Sequence, residues 1–384
     1  MRDLFLLDPT VTFLNHGSFG ACPKPVFERF QQWQREMERN PVEFLGRRSA
    51  ALLAQARERL GQALGASGRD LVFVTNATTG VNIVARSLAL APGDEVLGTD
   101  HEYGACDATW RFVCGRAGAT YRRAEIPLPF EPAHFVERVM AAATPRTKVI
   151  YASHITSTTA LLFPVAALCA AARERGITTV IDGAHAPGQV AVDLAAIGAD
   201  FYTGNCHKWL CAPKGAAFLH AQPERQAQLD ATVVSWGYVA EAAGHTGFDA
   251  YTGRDTFERR FTWQGTRDLS AFLAVPAALD FLREHDAPAR LAATRALLLE
   301  ARREVMARNG LASPMPDSAL AQLIPFPVRC EDTETLRRQL FDTFRIEVPV
   351  TWHAGQAFVR ASAALYTTAA DARALVGALA ELKV

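Results

Sequence analysis

Short apolar runs alternate with alanine-rich stretches between residues 70 and 220 of this 384-residue chain. The apolar runs are rich in β-branched and aromatic residues, whereas segments such as 132–143 and 165–175 have the apolar spacing of helices. Strands that alternate with helices predict an α/β fold with a mainly parallel sheet and crossover helices on both faces. The predicted strands are 71–75, 95–98, 120–125, 148–153, 178–182, 200–203 and 216–220.

The regions on either side of this sheet have other patterns. Residues 24–65 predict helix, and residues 235–265, rich in glycine and aromatics, predict an extended loop region. A smaller α+β unit follows, with helices at 270–284, 288–309, 333–344 and 370–382, a strand at 320–325 and a hairpin within 346–362. We therefore expect three parts: an N-terminal segment (1–22), a large domain (23–268) and a small C-terminal α+β domain (269–384).

The composition excludes several classes of protein. Forty basic and forty acidic residues cancel, so net charge gives no reason to expect binding to nucleic acid or to an anionic membrane. Seven scattered cysteines without a C-x-x-C pair favour reduced thiols in the cytoplasm. No apolar run is long enough for a signal peptide or a membrane span. We expect a soluble, cytoplasmic protein.

An acid and a lysine follow neighbouring predicted strands. Asp182 ends the strand 178–182, and Lys208 stands just beyond the strand 200–203. The carboxyl ends of neighbouring parallel strands border one crevice, so the two side chains are expected to face each other. Pyridoxal phosphate needs such a pair, because the lysine holds its aldehyde and the acid keeps its ring nitrogen protonated.

Other strand ends add candidate groups. Residues 75–80 (TNATTG) end a strand and open a helix, where small residues, hydroxyls and free amides suit an anion; a plain helix cap explains them equally well. Tyr103 could stack on a flat ring or belong to a solvated loop. Three histidines at separate strand ends, His101, His154 and His185, suggest more than structural roles.

Eight motifs in order along the chain resemble those of the class V aminotransferase group of fold-type I pyridoxal-phosphate enzymes, and within it the isopenicillin N epimerase-like group. They are FLNHGSFG (13–20), TNAT (75–78), HEYGA (101–105), SHITS (153–157), DGAH (182–185), HKW (207–209), GTRD (265–268) and FVRAS (358–362). The resemblance covers nearly the whole chain and implies a fold-type I enzyme with pyridoxal 5'-phosphate, acting on an amino acid through an external aldimine.

The resemblance also implies roles for individual residues. Lys208 would form the Schiff base and move the Cα proton, Asp182 would pair with the ring nitrogen, and His185 would lie near the ring phenolate. Arg360 would bind the substrate carboxylate, since a guanidinium suits a two-pronged contact. The phosphate would be held by Ala77, Thr78, His207 and Thr203 or Asn205, with Thr266 reaching across a homodimer. Tyr103, or His101, would cover the ring, His154 would lie near the cofactor, and Asn15, His16 and Ser18 would line the substrate side.

The reaction itself stays open between epimerisation, C–S lysis and transamination, because each begins with loss of the Cα proton. Desulfurases of this class carry a cysteine about fifteen residues before the matching arginine, whereas residues 349–355 (PVTWHAG) contain none. Persulfide chemistry of that kind is therefore not expected. For an epimerase, Tyr103 is a candidate acid on the face opposite Lys208.

Other classes of protein explain less of the sequence. A metallohydrolase could use acids and histidines at strand ends, but the chain has no compact motif such as H-E-x-x-H and Lys208 would have no role. Its ligands would come from His101, Glu102, His154, Asp182, His185 and His207. A non-catalytic cofactor-binding scaffold would not need both Lys208 and Arg360, and nucleotide-binding glycine motifs are missing from the strand-to-helix turns. We therefore expect no metal.

Overall fold

A seven-stranded sheet forms the centre of the computed structural model, which describes residues 1–242, 249–253 and 255–384. The strands are β1 Thr12–Phe13, β2 Leu71–Val74, β3 Glu95–Thr99, β4 Thr120–Ala124, β5 Thr147–Ser153, β6 Thr178–Gly183, β7 Phe201–Asn205, β8 Ala217–Ala221, β9 Leu323–Val328, β10 Ile346–Glu347, β11 Val350–His353 and β12 Gln356–Ser362. The order in the large sheet is β2-β8-β7-β6-β5-β3-β4. β8 is antiparallel to both of its neighbours, β2 and β7, and all other adjacent strands of this sheet are parallel. The sheet is therefore mainly parallel.

Helices cover the sheet and connect its strands. The described α-helices are α1 His16–Phe19, α2 Lys24–Arg39, α3 Pro41–Glu43, α4 Ser49–Ala63, α5 Ala77–Ser87, α6 Gly104–Ala117, α7 Phe135–Ala142, α8 Val165–Glu174, α9 Leu194–Ile197, α10 Pro223–Gln226, α11 Trp236–Ala242, α12 Asp249–Thr252, α13 Thr256–Thr262, α14 Ser270–Leu273, α15 Val275–Glu284, α16 Ala287–Asn309, α17 Thr333–Asp342 and α18 Ala369–Glu381. A π-helix, Phe44–Arg48, leads directly into α4. Within the described residues, no helix has the length and apolar character needed to cross a membrane.

The two faces of the large sheet are covered by separate apolar clusters. One cluster includes Phe73, Leu97 and Ile181 together with residues of the C-terminal part, and the other includes Val72, Val96 and Val180. Successive strand residues point to opposite faces, so neighbours such as Val72 and Phe73 fall into different clusters. A sheet buried on both faces explains why its strands read as nearly continuous apolar runs. The predicted α/β fold is confirmed.

The C-terminal part has its own small sheet, and the N-terminal segment is joined to this part. β12 lies between β11 and β9 and is antiparallel to both. β1 pairs in parallel with β10, which brings α1 from the beginning of the chain beside the end of the large sheet. The predicted division into 1–22, 23–268 and 269–384 stays a prediction.

The prediction of an extended loop over residues 235–265 was wrong for the part that the structure describes. Helices α11, α12 and α13 occupy much of it. The apolar side chains of Phe257 and Phe261 are one helical turn apart and are buried against the large sheet, so packing overrides the high content of glycine and aromatics.

Candidate active site

A cavity of about 380 Å³ lies at the carboxyl ends of the central strands. Parallel strands place their polar carboxyl ends at one edge of the sheet, so the strand-to-helix turns converge there. Nine of the residues predicted from the sequence line this cavity: Ser18, Ala77, Thr78, Tyr103, Asp182, His185, Asn205, His207 and Lys208. The pairing of an acid and a lysine in one crevice, on which the sequence argument depended, is therefore present in the structure.

Asp182 is held near the end of β6 with only 3% of its surface exposed. The backbone N–H of Ala184 donates to its Oδ1 at 2.9 Å. The Tyr151 hydroxyl donates to Oδ2 at 3.0 Å, and the Cys106 thiol lies 3.6 Å from the same oxygen. A carboxylate that is buried loses its hydrogen bonds to water, and these protein donors replace them.

Lys208 is half-buried, and its Nζ lies 3.2 Å from Nε2 of His185. Burial, and secondarily the positive charge of Arg360, lowers the lysine pKa to about 8, while Asp182 acts in the opposite direction. Burial also lowers the pKa of His185 well below its usual value, with Lys208 and Arg360 adding to the shift. A neutral amine at moderately alkaline pH is the form of lysine that reacts with an aldehyde or accepts a proton.

The tautomer of His185 follows from its other neighbour. The indole N–H of Trp209 is 3.5 Å from Nδ1 of His185. Since an indole nitrogen can only donate, Nδ1 accepts, and the neutral ring carries its proton on Nε2. That N–H points toward Lys208 and the cavity, where it can donate to an oxygen of a bound ring.

The N-terminus of α5 forms the other end of the cavity. The Asn76 side chain caps this helix by accepting from the Thr79 N–H at 2.8 Å. Gly80 allows α5 to lie directly on β7, because a Cβ there would come within 2.1 Å of the Thr203 hydroxyl. The N–H groups of Ala77 and Thr79 have side-chain partners, so the N–H and the hydroxyl of Thr78 are the groups at the start of this helix that can bind an anion such as a phosphate.

Three residues were predicted from β7 and the turn after it as phosphate contacts. Asn205 lines the cavity and its Oδ1 accepts from the Ala77 N–H at 2.8 Å. His207 also lines the cavity and is oriented by a contact of 2.9 Å between Nδ1 and the carbonyl of Ala216. Thr203 does not line it, because its hydroxyl donates to the Phe218 carbonyl at 2.8 Å, below α5. Of the alternatives Thr203 and Asn205, Asn205 is in position.

The prediction that three histidines converge on the cavity needs correction. His101 does not line it; its ring nitrogens contact the Thr159 hydroxyl at 2.7 Å and the Ile126 carbonyl at 2.8 Å. His154 does not line it either, and its Nδ1 lies 2.9 Å from the Tyr202 hydroxyl. Burial is the main cause that lowers the pKa of both rings to about 4. Both rings are buried outside the cavity, which leaves Tyr103 on the cavity wall with 47% of its surface exposed.

Arg360, on β12, does not line the cavity itself but contacts a residue of its wall. Its Nη1 donates to the carbonyl of Ser157, a residue of the cavity wall, and lies 3.1 Å from the Ser157 hydroxyl. Burial lowers the arginine pKa to about 10, and it remains a cation at neutral pH. Its buried Nε has no hydrogen-bond partner among the described residues. A buried guanidinium with an unused donor can bind a carboxylate.

The N-terminal segment contributes less to the wall than predicted. Ser18 lines the cavity, together with Phe19. Asn15 does not, because it contacts Glu347 and accepts from Ser18. His16 is buried behind the wall and joins two parts of the chain, with Nδ1 2.9 Å from the Tyr366 hydroxyl and Nε2 3.0 Å from the backbone carbonyl of Lys208. His16 therefore positions the lysine backbone and does not reach the substrate side.

Thr266 lies away from this cavity and is exposed. The position is compatible with the predicted contact to a second subunit, which stays a prediction. Among the aromatic residues within 235–265, Trp236, Tyr238 and Tyr251 do not line the cavity, and Phe248 is outside the described residues.

Sequence reasoning missed the groups behind the cavity wall. Tyr151 and Cys106 contact Asp182, and the buried Glu102 accepts from the hydroxyls of Thr99 and Ser153 at 2.7 and 2.6 Å. The alternation of side chains along a strand could have indicated Tyr151. Ser153 of β5 is paired with Asp182 of β6, and Tyr151, two residues before Ser153, points to the same face of the sheet. Cys106 is on a helix, and no sequence pattern connected it to Asp182.

The ligand set of the metallohydrolase alternative does not assemble. His185 lies beside Lys208, whereas His101 and His154 contact other groups in the core. A different trio among the described residues, Asp100, His101 and His353, has its ligand atoms within 4.8 Å of one another. Nε2 of His101 faces a carbonyl oxygen and must carry a proton there, so this nitrogen is not free to bind a metal.

The cavity residues fit pyridoxal phosphate. At one end, three of the four acceptor positions of Asp182 are used, and the remaining one, on Oδ1, can accept from a protonated ring nitrogen. At the other end, the start of α5 can bind a phosphate, and Lys208 lies on the wall between them. A buried acid, a reactive amine and an anion site in one cavity define a pyridoxal-phosphate enzyme.

Comparison with known proteins agrees with this conclusion. The profile of the family described as aminotransferase class-V matches residues 14–375. An isopenicillin N epimerase from Streptomyces clavuligerus is 41% identical over 98% of this chain and 96% of its own. A putative L-cysteine desulfhydrase from Oryza sativa subsp. japonica is 34% identical over 72% of this chain and 58% of its own. A solved mutant of C-DES, with glycine covalently linked to its PLP cofactor, has a TM-score of 0.82, 20% identity and coverage of 99% of both chains.

The chain belongs to the class V aminotransferase family. It has the fold of the solved C-DES structure, with a smaller antiparallel unit beside the large sheet, and its cofactor is pyridoxal phosphate. The family and the cofactor inferred from the sequence motifs are both confirmed.

Proposed function

We propose that this enzyme epimerises or racemises an amino-acid centre, in the manner of the isopenicillin N epimerase-like group. The observation that carries the proposal is the cavity in which Lys208 and Asp182 meet beside Arg360. The relative from Streptomyces clavuligerus, similar over nearly the whole length of both chains, favours epimerisation over the other reactions of the class.

The roles proposed for the residues follow from their surroundings. Bound pyridoxal phosphate supplies a conjugated ring that withdraws electrons from Cα and so acidifies its hydrogen. Lys208, with a pKa of about 8, accepts that proton at Nζ. His185 would donate from Nε2 to the ring oxygen, and Arg360 would bind the α-carboxylate of the substrate. Asp182 would accept from the ring nitrogen.

The phosphate would be bound by the start of α5 and by the turn after β7. Thr78 and His207 are the proposed contacts, whereas the N–H of Ala77, also predicted from the sequence, donates to Asn205 at 2.8 Å and leaves no hydrogen for the phosphate. Ser18 lines the substrate side. Tyr103 is the proposed donor of the second proton, because it lines the cavity and is partly exposed.

Incubation with single amino acids and small peptides in deuterated water tests this function. Epimerisation would give deuterium at Cα together with inversion, and Tyr103→Phe would suppress inversion more strongly than exchange, since Lys208 can still remove and return the proton on its own side. Stoichiometric conversion of the cofactor to its amine form, or release of pyruvate without inversion, would contradict the proposal.

C–S lysis is the second candidate function, and the similarity to the rice desulfhydrase favours it. This reaction needs the same lysine, acid and arginine but no second proton donor, because a β-leaving group departs after the Cα proton. Tyr103→Phe should then leave turnover of cysteine or cystine nearly unchanged. Transamination is the third outcome of the same incubations.

We also propose a cytoplasmic homodimer that shares its active sites. All seven cysteines are free thiols, which suits a reducing compartment. Thr266 is exposed in one subunit and would complete the phosphate site of the other. Mixed dimers of Lys208→Ala and Thr266→Ala subunits test this, because one of their two sites would have both residues intact. Activity restored by mixing supports the shared site, and a fully active monomer rules it out.

A further inference from the structure

The hydrogen bonds around Asp182 divide unequally between its two oxygens. Oδ2 faces the Tyr151 hydroxyl at 3.0 Å and the Cys106 thiol at 3.6 Å, whereas Oδ1 receives the Ala184 N–H at 2.9 Å. Each carboxylate oxygen has about two acceptor positions. Oδ2 is therefore filled by protein donors, and one position remains open, on Oδ1.

Both donors to Oδ2 are placed to stay protonated. Tyr151 is fully buried beside Trp110, and Cys106 is fully buried on α6. Burial, with the nearby charge of Asp182, raises the pKa of each group well above neutral pH. Both groups therefore stay neutral beside the carboxylate and can act as donors to it.

We propose that Tyr151 and Cys106 are positioning residues that occupy Oδ2 of Asp182 and so direct the cofactor ring nitrogen to Oδ1. The inference rests on the role proposed above for Asp182. With Oδ2 occupied, the open position on Oδ1 is the one that can accept from a protonated ring nitrogen. A protonated ring withdraws more electron density from Cα, so these two side chains support the first proton transfer without touching the substrate.

The direct test is the ¹⁵N NMR shift of ring-labelled pyridoxal phosphate bound to the whole enzyme. Tyr151→Phe should move this shift toward that of unprotonated pyridine, because the phenyl ring keeps the packing and removes the donor. Cys106→Ala should move it less and in the same direction, since a thiol is a weak donor. In deuterium exchange, Tyr151→Phe should lower kcat roughly tenfold, as expected for the loss of one hydrogen bond to a charged group, and leave KM unchanged.

Tyr202→Phe is the matched control. Tyr202 is a fully buried tyrosine on the next strand but one, and its hydroxyl contacts His154 and not Asp182. It should leave the ¹⁵N shift unchanged. Equal shifts in Tyr151→Phe and Tyr202→Phe would indicate general repacking and overturn the inference, as would unchanged shifts in both Tyr151→Phe and Cys106→Ala.

Asp182→Asn separates this inference from the function on which it rests. If Asp182 is the partner of the ring nitrogen, its replacement must move the ¹⁵N shift more than either donor variant. No movement with Asp182→Asn would refute the role of Asp182 itself. Movement with Asp182→Asn but not with Tyr151→Phe or Cys106→Ala would leave that role intact and refute only the contribution of the two donors.

Discussion

The two halves of the cavity are built differently. The cofactor half, around Asp182 and Lys208, comes from turns of one large sheet, and its polar groups are paired within the protein. The substrate half includes α1 from the beginning of the chain and Ser157, which Arg360 of β12 contacts from behind the wall. Its wall includes Phe19, which is 73% exposed, and Arg360 has an unused donor at Nε.

This difference separates the chemistry from the choice of substrate. The paired, buried groups of the cofactor half leave little freedom to rearrange, because an unpaired polar group in the core is costly. The substrate half is more open and can accept another amino acid through changes in α1 or β12 alone. The same catalytic core can therefore serve epimerases and C–S lyases within one family.

The largest effect is expected at the centre of the cofactor half. Lys208→Ala should reduce Cα deuterium exchange by roughly 10³-fold or more, because it removes the proposed base and covalent anchor of the cofactor. The visible absorbance of the lysine-bound cofactor, and its loss on borohydride treatment, should disappear as well. Lys214→Ala is the control, since Lys214 donates to the Gly20 carbonyl at 3.0 Å and does not line the cavity. An unchanged absorbance in Lys208→Ala would show that another lysine holds the cofactor.

A smaller and different effect is expected in the substrate half. Arg360→Lys should raise KM roughly 10- to 100-fold and leave the cofactor spectrum unchanged, because an ammonium cannot make the two-pronged contact. Arg302 is a matched buried arginine that donates to the Pro325 carbonyl at 2.8 Å and to Asp317 at 2.9 Å. Arg302→Lys should lower the free energy of unfolding by about 1–3 kcal/mol without changing KM. A change in the cofactor spectrum of Arg360→Lys would show that the two halves are not separable.

The smallest effect is expected at Glu102, a buried acid behind the cofactor half of the cavity. Burial raises the pKa of Glu102 to about 8, with a further contribution from Asp182, although the hydroxyls of Ser153 and Thr99 oppose the shift. The folded state then binds a proton that the unfolded state loses above pH ~4.5. The stability contributed by this proton is complete below pH ~4.5 and is lost as pH rises through about 8.

Glu102→Gln removes this titration and keeps the shape of the side chain. Relative to the parent protein, the variant should therefore become more stable as pH rises from 5 to 9, by a few kcal/mol at most, since each unit of pKa shift is worth ~1.4 kcal/mol. Thermal unfolding at several pH values measures the difference. If the stabilities of the two proteins change with pH by the same amount, Glu102 is ionised at all of these pH values.

The sequence by itself determined the order of the strands and helices, the family and the pair Asp182 and Lys208. These features depend on local patterns: strands buried on both faces are apolar, and polar residues must follow at their carboxyl ends. The motifs at those ends follow the strands so closely that their residues could be assigned to one crevice without coordinates.

Only the tertiary structure decided which of those strand-end residues enter the cavity. His101, His154 and His185 occupy similar positions in the sequence, yet only His185 lines the wall, because partners distant in the chain hold the other two rings in the core. The helices within residues 235–265 and the donors to Asp182 also depend on packing between separate elements. Side-chain direction is set by such long-range contacts, which neighbouring residues in the sequence do not encode.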